Sequence, residues 1–385
     1  MFDRERLTGI INRFVDSGAE TGAAAVVTKD GEPVFRYSYG LADAEKGVAF
    51  KENTICKAFS CSKVITSVAA MQLLERGLIQ LDNRLEWYFP EFADAHYIRD
   101  GKKIPASRPL VLRDLLNMTS GIAYPGDGRE GGDQISSLWG ELDASAKEGR
   151  QLTTAEFARK AGKCALVFDT GAEWCYGSGA DVFGAVVEAV TGKRYGDYLK
   201  ENIFKPLGMD DTDFYCPKEK LDRLAVLYDG AGENRKVLDW VNLCIYDYTE
   251  DPAFQSGGAG IFTTAEDLAK LGTPLSNGSY KGVSVLGRKT IDFMRTGALT
   301  DAQKKTFNWD SCKGYDYANF VRTLTDPNKA SSLASKGSFG WDGWTGTYIL
   351  NDPTEKLCTV LFVQRAGAGT TELSRALVNA VYSMI

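Results

Sequence analysis

The sequence predicts an α/β (α+β) fold, in which an antiparallel β-sheet flanked by helices is formed by both chain ends and accompanies an inserted, mostly helical domain. A helix and hairpin near the N-terminus are mirrored by a hairpin and helix at the C-terminus, which indicates one shared sheet. The 385 residues also exceed the size at which a single hydrophobic core usually stops growing. We therefore expect a discontinuous α/β domain at residues 1–85 and 255–385 and a mostly helical domain at 86–254.

The N-terminal elements follow from hydrophobic spacing. Apolar residues recur every three or four positions from Leu7 to Phe14, which indicates an amphipathic helix. Residues 23–40 then form two strand-like runs on either side of Asp30 and Gly31, a pair typical of a two-residue hairpin turn.

The C-terminal elements repeat this order in reverse. Residues 345–351 and 357–364 are strand-like runs separated by Asp-Pro-Thr-Glu, which is a strong turn signal. The last stretch, residues 371–385, places its apolar side chains on one helical face.

Composition and charge exclude several partners. The formal net charge of −6 and the absence of a Lys/Arg run argue against a nucleic-acid partner. No stretch is long and apolar enough to predict a membrane span, and the first residues lack the apolar block of a signal peptide. We expect a cytoplasmic protein, with export only if the sequence is a trimmed mature form.

Cysteine and histidine use excludes further classes of enzyme. The eight cysteines show no Cys-x-x-Cys pair and are expected to be mostly small buried residues. Because His96 is the only histidine, a zinc site built on several histidines is excluded, and we expect no metal site. A Ser-His-Asp triad would have to use His96, here expected at the surface, and the Gly-x-Ser-x-Gly elbow is missing.

A candidate nucleophile lies in the only Ser-x-x-Lys of the chain, formed by Ser60 and Lys63. The motif alone is weak, but a nearly all-apolar helix follows it and ends at Gly77. The spacing places both side chains on one face at the start of a buried helix. A desolvated lysine with a lowered pKa can accept the serine proton, and a helix N-terminus favours negative charge on an attacked carbonyl oxygen. The alternative is an N-cap serine beside a solvated lysine.

A second element, Tyr176-Gly177-Ser178, precedes another apolar helix within residues 170–214. It resembles the Tyr-x-Asn element of class C β-lactamases, DD-peptidases and β-lactamase-like esterases. The resemblance implies that Tyr176 acts as general base and acid, while Ser178 takes the place of an asparagine that positions substrate. The alternative for Tyr176 is a packed core tyrosine.

Three further segments extend this resemblance over nearly the whole chain. Residues 112–122 are similar to the family's Leu-Leu-x-His-Thr-Ser-Gly turn, and residues 256–271 are similar to its Gly-Gly-Gly-Leu-x-Ser-Thr signature. Residues 337–353 are similar to the strand that carries Lys-Thr-Gly or His-x-Gly. The three segments occur in the same order as in the family. The sequence is thus identified as resembling the serine β-lactamase and penicillin-binding protein (DD-peptidase) superfamily, class C-like, including β-lactamase-like carboxylesterases. The resemblance places the active site in the cleft between the two domains.

The third element departs from the family pattern, since Trp341-Asp342-Gly343 stands where Lys-Thr-Gly or His-x-Gly is usual. Gly343 allows close approach of the strand to substrate, and the backbone N–H groups of Trp344 and Ser60 are the expected oxyanion donors. Trp341 cannot bind a substrate carboxylate, and Asp342 would repel one if it faces the cleft. The alternatives are packing of Trp341 under the sheet edge and an Asp342 turned to solvent.

These features predict a serine hydrolase that forms an acyl-enzyme on Ser60 and acts on a small ester or amide. The third element argues against a dedicated β-lactamase or carboxypeptidase and favours neutral esters, or amides and short peptides bearing an amine. One alternative is a D-amino-acid amidase or DD-peptidase-like enzyme; another is a non-catalytic, penicillin-binding-like sensor or scaffold. The chemistry requires no metal or organic cofactor.

Overall fold

The computed structural model describes residues 3–238 and 248–385. The helices in chain order are α1 Arg4–Asp16, α2 Ser62–Glu75, α3 Leu112–Leu116, α4 Gly132–Lys147, α5 Thr154–Ala161, α6 Gly179–Thr191, α7 Tyr195–Leu199, α8 Lys205–Leu207, α9 Ala265–Asn277, α10 Arg288–Met294, α11 Asp301–Lys304, α12 Pro327–Ala330 and α13 Glu372–Tyr382. The strands are β1 Gly22–Lys29, β2 Glu32–Asp43, β3 Val48–Ala49, β4 Cys56–Lys57, β5 His96–Arg99, β6 Lys102–Pro105, β7 Tyr228–Asp229, β8 Lys236–Val237, β9 Phe262–Thr263, β10 Tyr315–Ala318, β11 Val321–Leu324, β12 Phe339–Asp342, β13 Tyr348–Asp352 and β14 Leu357–Phe362.

Eight strands form one antiparallel sheet in the order β10-β11-β12-β13-β14-β1-β2-β3. The two chain ends meet where β1 pairs with β14, with Val26 opposite Val360. This arrangement confirms the predicted antiparallel sheet formed by both ends. The predicted turn between β1 and β2 is also confirmed, because Asp30 (φ 51°) and Gly31 (φ 89°) both have the positive φ that a tight hairpin of this kind requires.

Helices cover both faces of the sheet. On one face, α1 and α13 pack against it and bury Leu7, Ile11 and Leu377. On the other face, α9 lies across β1, β13 and β14, and α2 contacts β11 and β12. Because both faces are covered, β1 is a continuous buried run rather than an alternating one.

The chain between β4 and β9 carries α2 to α8 and two short hairpins, β5–β6 and β7–β8. The division into domains at residues 85 and 255 stays a prediction. The expected surface position of His96 is wrong: it lies in β5 with 9% of its surface exposed, and its Nδ1 lies 3.0 Å from the Asp94 carbonyl oxygen. Within the described ranges, no helix combines the length and apolar character needed to cross a membrane.

Candidate active site

Ser60 lies in a single 3₁₀ turn, Phe59–Cys61, that leads directly into α2. Phe59 has a positive φ of 45°, which a non-glycine residue seldom adopts, and this bend leaves Ser60 half-buried at the start of the helix. Every residue of α2 from Ser62 to Leu73 is buried, as its apolar sequence predicts. Lys63, one turn after Ser60, is therefore 0% exposed.

The turn that carries Ser60 is held by the segment following β12. The Thr347 hydroxyl donates to the Ala58 carbonyl at 2.7 Å, and the Thr345 hydroxyl donates to the Lys57 carbonyl at 2.9 Å. The backbone N–H of Ala58 donates to the carbonyl of Ile261 at 2.9 Å. These bonds fix the backbone before Ser60 without using its own side chain.

The Lys63 amine contacts three oxygens. Its Nζ lies 3.3 Å from the Ser60 hydroxyl, 3.1 Å from the Tyr124 hydroxyl and 2.8 Å from the Gly258 carbonyl oxygen. Burial lowers the pKa of Lys63 from about 10.5 to about 7, while the nearby Asp181 carboxylate opposes this shift. A substantial fraction of the amine is therefore neutral near pH 7 and able to accept the Ser60 proton.

Tyr176 completes the predicted group. Its phenol accepts hydrogen bonds from the Trp341 indole N–H, at 2.9 Å, and from the Ser60 hydroxyl. Lys63 Nζ lies 4.4 Å from the centre of its ring. Burial raises the pKa of Tyr176 well above its usual value although both hydrogen bonds oppose the shift, so the phenol stays protonated at neutral pH. The structure thus brings Ser60, Lys63 and Tyr176 together.

Asp181 is a buried residue of the site that sequence reasoning missed. It is 0% exposed on α6 and accepts hydrogen bonds from the Ser256 hydroxyl, the Gly258 N–H (3.1 Å) and the Tyr124 hydroxyl (3.4 Å). Burial raises its pKa, and the Lys63 charge opposes that rise. An acidic residue among the apolar residues of the first turn of α6 was the available signal, because a buried carboxylate requires donors or a cation.

The structure corrects the role expected for Ser178. Its side chain is fully buried, accepts a hydrogen bond from the Trp139 indole at 3.1 Å and donates one to the Ala123 carbonyl at 3.0 Å. With both bonds made inside the protein, the hydroxyl does not reach a substrate. The hydroxyl is shorter than the amide it replaces, and it joins the loop after Tyr176 to the loop before Tyr124.

Trp341 packs beneath the site, which was one of its two alternatives. Only 2% of the residue is exposed, and its ring stacks on Tyr176 with centres 5.5 Å apart. Its indole N–H is directed to the phenol oxygen, so it acts on Tyr176 and not on a substrate carboxylate.

Asp342 adopts neither of the predicted orientations. Its carboxylate accepts a 2.7 Å hydrogen bond from Arg322 and another from the Thr370 hydroxyl. Arg322 is itself buried and lies over the Trp341 ring at 5.4 Å. The predicted repulsion of a substrate carboxylate applied only to an Asp342 that faces the cleft, whereas this carboxylate is paired with Arg322 within the protein.

Gly343 is required by the protein's own packing. A β-carbon at this position would lie 2.3 Å from the Ala58 carbonyl oxygen and 2.1 Å from the Thr347 hydroxyl. The expected approach to substrate is thus observed as an approach to the backbone before Ser60. The Trp344 ring lies 5.3 Å from that of Phe59, so residue 344 adjoins the turn of the nucleophile. Its role as an oxyanion donor stays a prediction.

The cysteines beside Ser60 and Tyr176 are buried thiols. Burial raises the pKa of both Cys61 and Cys175 to about 12, which keeps them protonated and unreactive at neutral pH. Cys175 accepts a hydrogen bond from Arg129 at 2.9 Å. Cys164 is partly buried, the other described cysteines are buried as predicted, and Cys244 lies outside the described residues.

Comparison with known proteins identifies the family of the chain. A Beta-lactamase family model matches residues 7–382, so the chain belongs to the Beta-lactamase family. Esterase EstB of Burkholderia gladioli is 29% identical over 98% of this chain and 95% of its own length. A putative D-alanyl-D-alanine carboxypeptidase of Escherichia coli K12 is 26% identical over 94% of this chain and 82% of its own length.

The fold is shared with solved structures. EstCE1, described as a hydrolase with promiscuous acyltransferase activity, superposes with a TM-score of 0.80 at 24% identity over 98% of both chains. These comparisons confirm the predicted superfamily and, with it, the class of serine hydrolase acting on esters or amides.

Proposed function

We propose that this protein is an esterase that forms an acyl-enzyme on Ser60. The observation that carries the proposal is the fully buried Lys63 amine, 3.3 Å from the Ser60 hydroxyl and with a pKa of about 7. A lysine that served only as a surface charge would be solvated and cationic at neutral pH. A buried and partly neutral one is suited to act as a base.

In the proposed acylation step, neutral Lys63 accepts the Ser60 proton while the serine oxygen attacks the ester carbonyl carbon. The negative charge that develops on the carbonyl oxygen is stabilised by the backbone N–H groups of Ser60 and Trp344. The high pKa of Tyr176 argues against its acting as the first base. This refines the role that the family resemblance implied for the phenol.

The leaving alcohol needs a proton, and Tyr176 is the residue proposed to supply it. The phenol is protonated and hydrogen-bonded to the Ser60 hydroxyl. It therefore lies next to the carbon that Ser60 attacks and to the alcohol oxygen that leaves when the ester bond breaks. The proton that Lys63 accepted from Ser60 then passes to Tyr176. Lys63 is again neutral and Tyr176 is again protonated. Water next attacks the acyl-enzyme with the same groups acting in reverse, and releases the acid.

The third element favours neutral substrates. Arg322, the cation that adjoins it, is 3% exposed and paired with Asp342, so it is not available to bind a substrate carboxylate. Trp341 brings no charge. This favours an ester over the anionic substrates of a β-lactamase or DD-peptidase, and the Burkholderia relative is named an esterase. The cytoplasmic location expected from the sequence is a separate prediction and does not bear on the choice of substrate.

The test compares the wild type with Ser60→Ala, using a fluorophosphonate probe and p-nitrophenyl acetate. We expect the wild type to be labelled on the peptide containing Ser60 and to hydrolyse the ester, and we expect Ser60→Ala to lose both. Ser137→Ala, which removes an exposed hydroxyl on α4, is the control and should retain both. Retention of labelling or turnover in Ser60→Ala would refute the assignment.

Two further readouts separate the alternatives. A D-aminoacyl p-nitroanilide cleaved faster than the ester would favour the amidase or peptidase. A Ser60 adduct that forms but is never released, seen by intact-protein mass spectrometry, would favour the non-catalytic sensor.

A further inference from the structure

One tryptophan beside the site is exposed without being part of the proposed proton chemistry. Trp309 is 42% exposed and lies just before a 3₁₀ turn, Asp310–Cys312. Its ring meets the Tyr176 ring edge to face, with centres 5.1 Å apart and planes at 69°. An aromatic side chain in this position presents apolar surface to water next to the proposed proton donor.

Trp309 packs against other aromatic side chains that hold its ring in position. Its ring packs at 84° on the buried Trp174, with centres 5.2 Å apart, and Trp174 also packs against Phe307 at 4.9 Å. The backbone N–H of Trp174 donates to the Thr306 hydroxyl at 2.9 Å, and this bond fixes the chain segment just before Trp309. The indole is therefore positioned before a ligand arrives, so little entropy is lost in ordering it.

The proposed chemistry shows which half of a substrate would reach this ring. Tyr176 gives its proton to the oxygen of the leaving alcohol, so that oxygen must lie within hydrogen-bonding distance of the phenol. The alcohol substituent extends from the same oxygen, and the Trp309 ring contacts the ring of the tyrosine that must reach that oxygen. The nearest charged side chain in sequence, Asp310, is paired with Lys313 at 2.7 Å.

We propose that Trp309 is a specificity-determining residue that stacks against the alcohol half of the substrate, so that the enzyme prefers esters of aromatic alcohols to esters of short alkyl alcohols. This rests on the proposed function, because it uses Tyr176 as the donor to the leaving group. An aromatic group buries the exposed indole and gains ring–ring contact, whereas an ethyl group covers little of it.

The test measures kcat/KM for benzyl acetate and ethyl acetate, which share an acyl group and have leaving alcohols of similar basicity. We expect Trp309→Ala to lower kcat/KM for benzyl acetate about tenfold and for ethyl acetate less than about twofold. Trp309→Phe should keep most of the preference. Trp87→Ala, which removes a tryptophan that is 63% exposed and lies elsewhere, is the matched control and should leave both values unchanged.

The outcomes separate this inference from the proposed function. The role of Trp309 would be overturned if kcat/KM fell equally for both esters in Trp309→Ala and Trp309→Phe, or if it fell for neither ester. If fluorophosphonate still labelled Ser60 in these variants, the proposed function would stand. Absence of Ser60 labelling in the wild type would overturn the proposed function and this inference with it. Thermal unfolding of each variant identifies losses that come from misfolding, and Trp309→Phe then decides the outcome.

Discussion

Replacing Asp181 with asparagine tests how the buried charges set the base. The carboxylate and the Lys63 amine are linked by Tyr124, whose hydroxyl lies 3.1 Å from Nζ and 3.4 Å from Oδ2. Asparagine is nearly isosteric and keeps one oxygen to accept from Ser256 and the Gly258 N–H. The substitution therefore removes a negative charge with little change in packing.

The size of the effect follows from the geometry. Two contacts of 3.1 and 3.4 Å in series place the opposite charges within about 6.5 Å of each other. At an effective dielectric constant of about 20, that attraction is about 2.5 kcal/mol, or about two pKa units. Because Asp181 favours the charged amine, its removal should lower the pKa of Lys63 from about 7 towards about 5.

The assay is the pH dependence of kcat/KM for p-nitrophenyl acetate. Lys63 must be neutral to accept the Ser60 proton, so activity should fall as pH decreases through its pKa, which gives an acidic limb near about 7 in the wild type. In Asp181→Asn this limb should move to lower pH by one to two units. Loss of the anion should also reduce activity at the plateau, since protonated Lys63 is then less stable.

A matched control is available in Asp267→Asn. Asp267 is also buried, but its hydrogen-bond partners are Lys270, Thr212 and the backbone of Asp211 and not the residues around Ser60. Its substitution should leave the acidic limb in place. An unchanged limb in Asp181→Asn, or one that moves to higher pH, would contradict the electrostatic role given to Asp181.

Three further substitutions follow from the contacts of the third element. Trp341→Phe keeps the stacking on Tyr176 but removes the 2.9 Å hydrogen bond, and steady-state kinetics should show kcat falling about fivefold with little change in KM; an unchanged kcat would count against the contact. Arg322→Met leaves Asp342 without its buried partner and should lower the free energy of unfolding by about 3 kcal/mol in denaturant titrations, whereas the double variant with Asp342→Asn should recover part of that loss. A single variant as stable as the wild type would show that the pair contributes nothing. Gly343→Ala places a methyl group 2.3 Å from the Ala58 carbonyl and should slow fluorophosphonate labelling of Ser60 at least about tenfold; labelling at the wild-type rate would contradict the close approach.

The elements most visible in the sequence were those encoded by local spacing. Ser60 and Lys63 lie three residues apart before an apolar run, so their position at the start of α2 could be predicted without knowledge of the fold. The hairpin at Asp30 and Gly31 was equally local. The fit of Tyr176 into the same site required the family resemblance, because more than one hundred residues separate it from Ser60.

What could not be predicted depends on distant partners. The pairing of Asp342 with Arg322 arises because β11 and β12 are neighbours in the sheet, and no local pattern specifies that neighbour. The burial of Ser178 likewise depends on Trp139, which lies on α4. Asp181 was overlooked because its hydrogen-bond donors come from segments far along the chain, and no local pattern specifies them.

The most direct measurement for the central claim is the titration of the Lys63 side chain by NMR, with lysines labelled at Cε and Nζ. We predict one lysine signal that titrates near about pH 7 and is missing in Lys63→Met. If the signal assigned to Lys63 instead titrates near the ordinary lysine pKa of about 10.4, the amine is cationic at neutral pH, and it cannot be the base that accepts the Ser60 proton.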